Sequence, residues 1–287
     1  MLYDKNKLID FIYEDLGYGD ITTEAVVSSD MNIEAYITSK SSGILAGVEE
    51  SCFICEFFKI TCEVIKKDGD HINIHDKILK ISGNARKILL VERVILNLLM
   101  KMSGIATKVN YLVSLCHKVN SKVKIAATRK TTPGFRFFEK KAVFIGGGDP
   151  HRWRLDDMYL IKSTHIDIAG GVSEAIMRVK NKKIFSKIID VEVRNIDEAI
   201  EAIKNGADII MLDNFTPLQV KETIMHLESL NLRNKILIEV SGGITEENIL
   251  EYAKTGVDII SLGSLTHSYS SLDFHIELKV LGGPEGI

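Results

Sequence analysis

Several features are scarce in this sequence of 287 residues, and each scarcity excludes a class of protein. Four cysteines are too few for a scaffold held by disulfides. No apolar run approaches the roughly 20 residues that a membrane span needs. The first 20 residues are amphipathic and acidic, unlike an export signal. The composition, 45% hydrophobic and 26% charged, is that of a globular protein. We therefore expect a folded cytoplasmic protein with reduced thiols, built as one large domain or two smaller ones.

The charge is close to balanced overall but uneven along the chain. Lys and Arg number 36 against 39 Asp and Glu, a formal net charge of −3, which disfavours a protein whose main task is binding nucleic acid. Residues 129–162 nevertheless carry eight basic against four acidic side chains. Because Arg and Lys are the usual partners of carboxylates and phosphates, this excess favours a ligand with several negative charges.

A regular pattern begins near residue 120. Six short β-branched runs alternate with helical stretches: 123–128, 158–163, 188–193, 208–213, 236–241 and 258–263. Such alternation predicts βα units and a parallel sheet covered on both faces. Every run ends in a polar group, so a barrel is favoured slightly over an open, doubly wound sheet.

These polar groups form the candidate site. They are Thr128, Arg129, Lys130, Lys162, Glu192, Asp213, Ser241, Gly242, Gly243 and Gly263. In a βα barrel the carboxyl ends of the strands meet at one rim, so these residues are expected to surround one ligand. Glu192 and Asp213 facing a polyanion favour Mg²⁺, with a structural ion pair as the alternative. The Ser-Gly-Gly turn, followed by a helix capped at Thr245, is expected to bind phosphate.

The first hundred residues predict a mixture of helices and strands. Residues 5–14 have helical spacing, and a long apolar helix from residue 84 is expected to end at Ser103-Gly104. Arg93 and Asn97 share one face of that helix. An unpaired buried cation is costly, so this face is expected to meet a ligand or another subunit, with an exposed stripe as the alternative.

One set of cysteines and histidines has the spacing of a zinc site. Cys52, Cys55, His71 and His75 have zinc-finger spacing. The cysteines fall in a helical stretch and the histidines flank a strand, which reverses the usual order, so zinc is disfavoured.

Five blocks carry a family resemblance, in order and over nearly the whole length. They are EDLGYGDITTEAV (14–26), ERVILNLLMKMSGIAT (92–107), the stretch from ATRKTTPG to STHI (127–166), the stretch from DVEVRN to DNF (190–215), and the stretch from IEVSGG to LTHS (238–268). With these blocks the chain resembles the quinolinate phosphoribosyltransferase family.

The resemblance implies an α/β fold: an incomplete, TIM-like barrel over 106–267 and an N-terminal α/β sandwich over 1–105, which the C-terminal segment 268–287 rejoins. It implies transfer of phosphoribosyl from phosphoribosyl diphosphate to quinolinate, with release of diphosphate and CO₂. The product would be nicotinate mononucleotide, an intermediate of NAD biosynthesis. The expected cofactor is Mg²⁺ and the expected assembly is a homodimer or a larger homo-oligomer.

The resemblance also implies roles for individual residues. Lys130, Lys162, Glu192 and Asp213 would be catalytic, and Glu192 and Asp213 would hold the metal and the ribose hydroxyls. The residues expected to bind substrate are Arg93 (in the neighbouring subunit's site), Thr128, Arg129, Lys130, His151, Arg152, Lys162, Glu192, Asp213, Ser241, Gly242, Gly243, Leu262, Gly263 and Ser264.

Two departures from the family pattern leave other functions open. Ala127 stands where the family often has Asp, and Ser163-Thr164 stands where it commonly has Asp-Asn. A paralogue found with molybdate-transport genes, acting on a different acceptor, is therefore one alternative. A barrel lyase that uses Lys162 as a Schiff base is another. A non-catalytic binding protein is a weaker one.

Overall fold

The computed structural model describes residues 5–182 and 184–280, and the chain divides into two compact units. Within the described residues, the first unit comprises 5–108, 137–146 and 269–280, and the second comprises the remainder of 109–268. The division expected from the sequence differs from these units mainly at 137–146, which the sequence assigned to the barrel. No described helix combines the length and the apolar character that crossing a membrane requires.

The strands are short and many. In chain order the described strands are β1 (Asn32–Ser39), β2 (Gly43–Ile44), β3 (Thr61–Val64), β4 (His71–Ile72), β5 (Lys77–Asn84), β6 (Lys124–Ala127), β7 (Tyr159–Ile161), β8 (Ile189–Val193), β9 (Ile209–Asp213), β10 (Leu237–Ser241), β11 (Ile259–Leu262) and β12 (Phe274–Val280).

The helices separate the strands. In chain order the described α-helices are α1 (Lys5–Leu16), α2 (Ile21–Val26), α3 (Val48–Phe57), α4 (Ala85–His117), α5 (Arg136–Ile145), α6 (Ser163–Ala169), α7 (Val172–Lys180), α8 (Ile196–Lys204), α9 (Pro217–Ser229), α10 (Ile249–Ala253) and α11 (Ser264–His267). A 3-10 turn at Arg233–Lys235 precedes β10.

The first unit is built on an antiparallel sheet of order β12-β1-β5-β3. Along β1 the side chains of Ile33, Ala35 and Ile37 are buried, and the intervening Glu34 and Tyr36 are half-buried. This period of two is what one face packed on a core requires. The C-terminal strand β12 pairs along β1, and residues 281–287 lie outside the described part.

The long helix α4 does not end at Ser103-Gly104 as the sequence predicted. It continues to His117, a length of 33 residues. Gly104 serves close packing instead, because a Cβ there would collide with the carbonyl oxygen of Ser270. The prediction was wrong because a glycine required for close backbone approach resembles a glycine that ends a helix. Arg93 and Asn97 are both exposed on this helix.

The second unit contains the predicted parallel sheet, in the order β6-β11-β10-β9-β8-β7. All six predicted runs form strands, each trimmed by one or more residues. The first strand, β6, pairs with the last, β11, rather than with β7. The strands therefore follow a barrel order that is open between β6 and β7, which confirms the incomplete barrel.

The barrel side chains lie in layers because strand side chains alternate between two faces. In the last layer before the rim, Ser241 is in register with Asp213. One layer below, Met211 is in register with Glu239 on one side and with Glu192 on the other. Asp190 shares a face of β8 with Glu192, two residues earlier. Charged side chains thus occur both at the rim and beneath it.

Candidate active site

A cavity of about 440 Å³ opens at the carboxyl ends of the barrel strands. Most of the residues predicted from the sequence line it: Thr128, Arg129, Lys130, His151, Arg152, Lys162, Glu192, Asp213, Ser241, Gly242 and Gly243. They come from the ends of β8, β9 and β10, from the segments that follow β6, β7 and β10, and, for His151 and Arg152, from the segment between α5 and β7. Separate stretches of chain therefore converge on one space, as the strand-end pattern predicted.

Four predicted residues are not among those lining this cavity: Arg93, Leu262, Gly263 and Ser264. Gly263 lies directly behind a lining residue, since a Cβ at this position would be 2.6 Å from Cδ of Lys130. The hydroxyl of Thr266, on α11, donates to the carbonyl oxygen of Lys130. The end of β11 thus supports Lys130 through contacts behind the cavity wall. Arg93 belongs to the first unit.

The basic wall brings two guanidinium groups together. Arg152 is buried, with 8% of its surface exposed. Burial lowers the pKa of the Arg152 guanidinium, and the neighbouring charge of Arg129 lowers that pKa further. Arginine stays protonated at neutral pH, so the two like charges beside this cavity favour an anionic occupant.

The acidic wall consists of Glu192 and Asp213. Burial raises the pKa of Asp213, and the nearby charge of Glu192 raises that pKa further, while a hydrogen bond from Asn214 opposes the shift. Lys162 Nζ lies 3.9 Å from Glu192 Oε2. The side chain of Lys162 is about half-exposed, so it reaches this wall from the solvent side. Two carboxylates close enough to interact, and partly withdrawn from water, form a donor set that suits a divalent cation.

The departure at Ser163 has a structural consequence. Ser163 is the first residue of α6, and its hydroxyl donates to Glu192 Oε1 at 2.8 Å. Its backbone N–H points at the same oxygen at 3.3 Å. The serine therefore orients the carboxylate without adding a negative charge to this wall. Thr164 is exposed, and Ala127 lines the cavity.

The glycine turn after β10 leaves backbone exposed to the cavity. Gly242 has φ +88° and Gly243 has φ +63°, both in the region that favours glycine. A Cβ on Gly242 would collide with the side-chain oxygen of Asn214. The expected helix with Thr245 as its cap is not formed there. Instead α10 begins only at Ile249, and Asn248 Oδ1 accepts from the Thr245 N–H.

Two buried carboxylates lie beneath the rim, and the sequence interpretation missed both. Asp190 and Glu239 have no exposed surface. Burial raises the pKa of Asp190 well above its ordinary value, and Glu239 adds to that shift. Their signal was present in the sequence, because each is an acid within an otherwise apolar strand and stands two residues before a predicted site residue. Period two places it on the same face as that residue.

These two acids contact a predicted site residue. His151 Nε2 lies 3.1 Å from Glu239 Oε2 and 4.0 Å from Asp190 Oδ2. Within residues 5–182 and 184–280, this is the one group of three or more His, Cys, Asp or Glu side chains whose ligand atoms all lie within 4.8 Å. Cys52, Cys55, His71 and His75, the set with zinc-finger spacing, do not form such a group among the described residues.

Ligand sites of α/β barrels lie at the carboxyl ends of the strands. The fold and the charged cavity together define a barrel enzyme that acts on a small anionic substrate.

Comparison with known proteins identifies the family. The model of the quinolinate phosphoribosyl transferase C-terminal domain matches residues 105–277, and that of the N-terminal domain matches residues 20–103. The chain therefore belongs to the quinolinate phosphoribosyl transferase family.

Individual relatives support this assignment along the whole chain. A probable carboxylating nicotinate-nucleotide pyrophosphorylase of Methanothermobacter thermautotrophicus is 44% identical over 272 residues, covering 95% of this chain and 98% of the relative. The human carboxylating nicotinate-nucleotide pyrophosphorylase is 34% identical over 256 residues, covering 88% of this chain and 85% of the relative. The solved structure of the nicotinate-nucleotide pyrophosphorylase from Francisella tularensis is similar to this one with a TM-score of 0.89 at 35% identity. The match covers 97% of this chain and 98% of that chain.

Proposed function

We propose that this protein transfers the phosphoribosyl group of phosphoribosyl diphosphate to quinolinate, with loss of CO₂, and forms nicotinate mononucleotide. One observation carries the proposal: Arg129, Arg152, Lys162, Glu192 and Asp213 surround a single cavity in a chain of this family. The curated relatives are named for the carboxylating nicotinate-nucleotide reaction, which favours quinolinate over the other acceptors that the sequence left open.

The acceptor is recognised by its two carboxylates. Arg129 and Arg152 offer fork-shaped donors that match a carboxylate, and Lys162 adds a point charge. Arg129 and Arg152 line the same cavity, and the charge of Arg129 lowers the pKa of Arg152, so a dianion bound by both would relieve their repulsion. His151 and Lys130 line the same cavity and contact the same ligands.

The donor is held on the opposite wall. The exposed amides of Gly242 and Gly243, with the Ser241 hydroxyl, contact phosphate, because backbone N–H groups in a left-handed glycine turn suit an anion. Leu262, Gly263 and Ser264, at the end of the neighbouring strand β11, would contribute to the same phosphate site.

A divalent metal fits the acidic wall. Glu192 and Asp213 are hard oxygen donors within each other's electrostatic field, and would hold Mg²⁺ and the ribose hydroxyls. When bound, Mg²⁺ supplies positive charge for the departing diphosphate. Ser163 holds Glu192 in one orientation for this purpose.

Catalysis depends on positioning and electrostatics. The bound pyridine nitrogen attacks C1 of the ribose as diphosphate leaves, and Lys130 and Lys162 place positive charge beside the departing diphosphate and the carboxylates of quinolinate. The ring then carries a positive charge next to the 2-carboxylate, so loss of CO₂ leaves a stabilised carbanion at C2 of the ring. This carbanion takes up a proton from water and becomes nicotinate mononucleotide. No residue is required as a strong general base.

The test is a set of incubations with phosphoribosyl diphosphate, Mg²⁺ and either quinolinate, nicotinate or no acceptor. Of these three incubations, only the one that contains quinolinate is expected to form nicotinate mononucleotide and CO₂. Transfer to nicotinate but not to quinolinate would overturn the proposed acceptor. Borohydride trapping of a carbonyl substrate on Lys162 would instead establish the lyase alternative.

The active assembly is a homodimer or a larger homo-oligomer in which Arg93 completes the neighbouring subunit's site. The exposure of Arg93 on α4 leaves it available to another molecule. Mixing Arg93→Ala with Asp213→Asn should restore part of the activity, because a mixed assembly contains some sites with neither change. Absence of recovery in demonstrably mixed oligomers would contradict the shared site.

A further inference from the structure

Two segments without regular secondary structure carry the arginines of the basic wall. Arg129 lies in the first basic segment, residues 128–135 after β6, and Arg152 lies in the second basic segment, residues 147–158 before β7. Burial lowers the pKa of Arg152, and the charge of Arg129 lowers that pKa further. The two like charges push the segments apart when no anion is bound. Other contacts must therefore hold the segments at a fixed separation.

Backbone pairing joins the two segments at their base. Asp149 extends the sheet beside β6 through a parallel bridge to Ala126. The Asp149 carbonyl oxygen accepts from the Ala127 N–H at 2.9 Å, and the Asp149 N–H donates to the Ile125 carbonyl oxygen at 2.8 Å. This pairing fixes where the segments start, but it ends at Ala127 and Asp149, before either arginine is reached.

A third arginine connects the segments beyond this pairing. Arg136, the first residue of α5, is half-buried and is not among the residues that line the cavity. Its Nε donates to Thr131 Oγ1 at 2.9 Å, and its Nη1 donates to the Trp153 carbonyl oxygen at 3.2 Å. Thr131 belongs to the first basic segment and Trp153 to the second. One planar guanidinium therefore bonds both segments.

The two residues that Arg136 contacts are themselves tied to the wall. The Thr131 N–H donates to the Arg129 carbonyl oxygen at 2.9 Å, and the Thr131 hydroxyl lies 3.4 Å from the same oxygen. Trp153 directly follows Arg152 in the chain, and its N–H donates to Asp157 Oδ2 at 2.6 Å. A displacement of Thr131 or Trp153 is therefore passed to the neighbouring arginine of the cavity.

We propose that Arg136 is a positioning residue that sets the separation of the two basic segments and thereby selects an acceptor with carboxylates on adjacent ring carbons. The inference rests on the proposed function and deepens it. A fixed separation favours one dicarboxylate geometry, because a misplacement of about 1 Å can cost about 100-fold in rate. Without the Arg136 contacts, the protein should discriminate less between acceptors whose carboxylates are differently spaced.

The first measurement follows the second basic segment without any ligand. Trp153 is the one tryptophan of the sequence, so its fluorescence reports this segment directly. We compare the full-length wild type with Arg136→Gln, which removes the forked donor. Trp153 should become more mobile in the variant on the nanosecond timescale. The expected signs are a faster decay of its fluorescence anisotropy and stronger quenching by acrylamide.

The second measurement compares two unreactive dicarboxylates by titration calorimetry. Phthalate has the adjacent carboxylates of quinolinate but no ring nitrogen, and isophthalate has its carboxylates one ring carbon further apart. We expect the wild type to bind phthalate more tightly. In Arg136→Gln the Kd for phthalate should rise about tenfold or more and that for isophthalate less than about threefold, because only the matched ligand gains the full charged hydrogen bonds from both segments.

Three further variants separate positioning from loss of charge and from general structural damage. Arg136→Lys keeps the charge but not the fork, so it should restore the rigidity of Trp153 and the discrimination only in part. Thr131→Val removes one of the two acceptors and should act like Arg136→Gln to a smaller degree. Arg233→Gln is the matched control, because Arg233 also bonds carbonyl oxygens of two stretches of chain but does not line the cavity. This control should leave the Trp153 fluorescence and the ratio of the two Kd values unchanged, even where it lowers the melting temperature.

The outcomes separate this inference from the proposed function. Unchanged Trp153 fluorescence in folded Arg136→Gln would overturn the inference, as would an unchanged ratio of the two Kd values or a wild type that binds both dicarboxylates equally. If Arg136→Gln fails to fold, the same criteria apply to Arg136→Lys and Thr131→Val. If the wild type neither acts on quinolinate nor binds phthalate, the proposed function fails, while the Trp153 fluorescence still tests whether Arg136 holds the second segment.

Discussion

Replacing Arg152 with alanine gives the sharpest test of the basic wall. The side chain is 8% exposed and lines the cavity, so a carboxylate bound to it is largely removed from water. Truncating one partner of a buried, hydrogen-bonded charge pair costs about 2–5 kcal/mol. At about 1.4 kcal/mol for each factor of ten, kcat/KM for quinolinate should fall between about 30-fold and several thousand-fold.

The same substitution should also destabilise the folded protein. The charge of Arg152 acts favourably on Asp190 and Glu239, which are both fully buried. Without it, these two carboxylates remain in the interior with less compensating charge, which costs stability. We therefore expect a lower melting temperature for Arg152→Ala, and a smaller effect for Arg152→Lys, which keeps the charge but loses the forked geometry.

The assay is steady-state kinetics with both substrates varied, alongside thermal unfolding. Arg154→Ala is the matched control, because Arg154 is two residues away, is exposed and does not line the cavity. It should change kcat/KM by less than about twofold, as surface substitutions usually do. Unchanged kinetics for Arg152→Ala, or an equal loss in Arg154→Ala, would refute the assignment of Arg152 to the carboxylate site.

Three further predictions follow from other parts of the structure. Gly242→Ala should raise the KM for phosphoribosyl diphosphate more than Gly243→Ala does. The new methyl group would collide with the Asn214 side chain only at Gly242. At Gly243 the cost is the strained φ alone, about 1–2 kcal/mol. Asp213→Asn should raise the Mg²⁺ concentration for half-maximal activity about tenfold or more, since a carboxylate ligand is lost. Glu50→Gln should change how stability depends on pH. Burial raises the pKa of Glu50 despite its ion pair with Lys141. A carboxyl group whose pKa is higher in the folded state than in the unfolded state stabilises the fold fully below the unfolded pKa of about 4.3. This stabilisation is lost as the pH rises through the higher, folded-state pKa. Glutamine resembles the protonated form, so the variant should gain stability relative to wild type between pH 4 and pH 7, measured by chemical unfolding at each pH.

Each of these predictions has a clear contrary result. KM values that stay at the wild-type level in both glycine variants would show that the turn tolerates a side chain and does not closely approach the donor. An unchanged Mg²⁺ dependence in Asp213→Asn would remove Asp213 from the metal site. A stability difference for Glu50→Gln that is constant with pH would show that the Glu50 pKa is not raised.

Local sequence patterns determined the second unit and most of its rim. Strands buried on both faces appear as continuous β-branched runs, so all six could be placed without knowledge of their partners. The polar residue ending each run was visible for the same reason, and eleven predicted residues line the cavity. Parallel strands place their carboxyl ends at one edge whatever the order of pairing, so Glu192 and Asp213 could be brought together from the sequence alone.

Only the tertiary structure decided features that depend on contacts distant along the chain. Gly104 was taken as a helix end because its reason for being glycine, the backbone of Ser270, lies 166 residues away. Glu239 lies on β10 and His151 lies in a loop 88 residues earlier in the chain, so no local sequence pattern predicts their contact. Periodicity reports which face a side chain takes, whereas what that face meets depends on how the strands are paired. Strand order and the contacts of the buried acidic layer depend on tertiary packing, which the local sequence patterns did not predict.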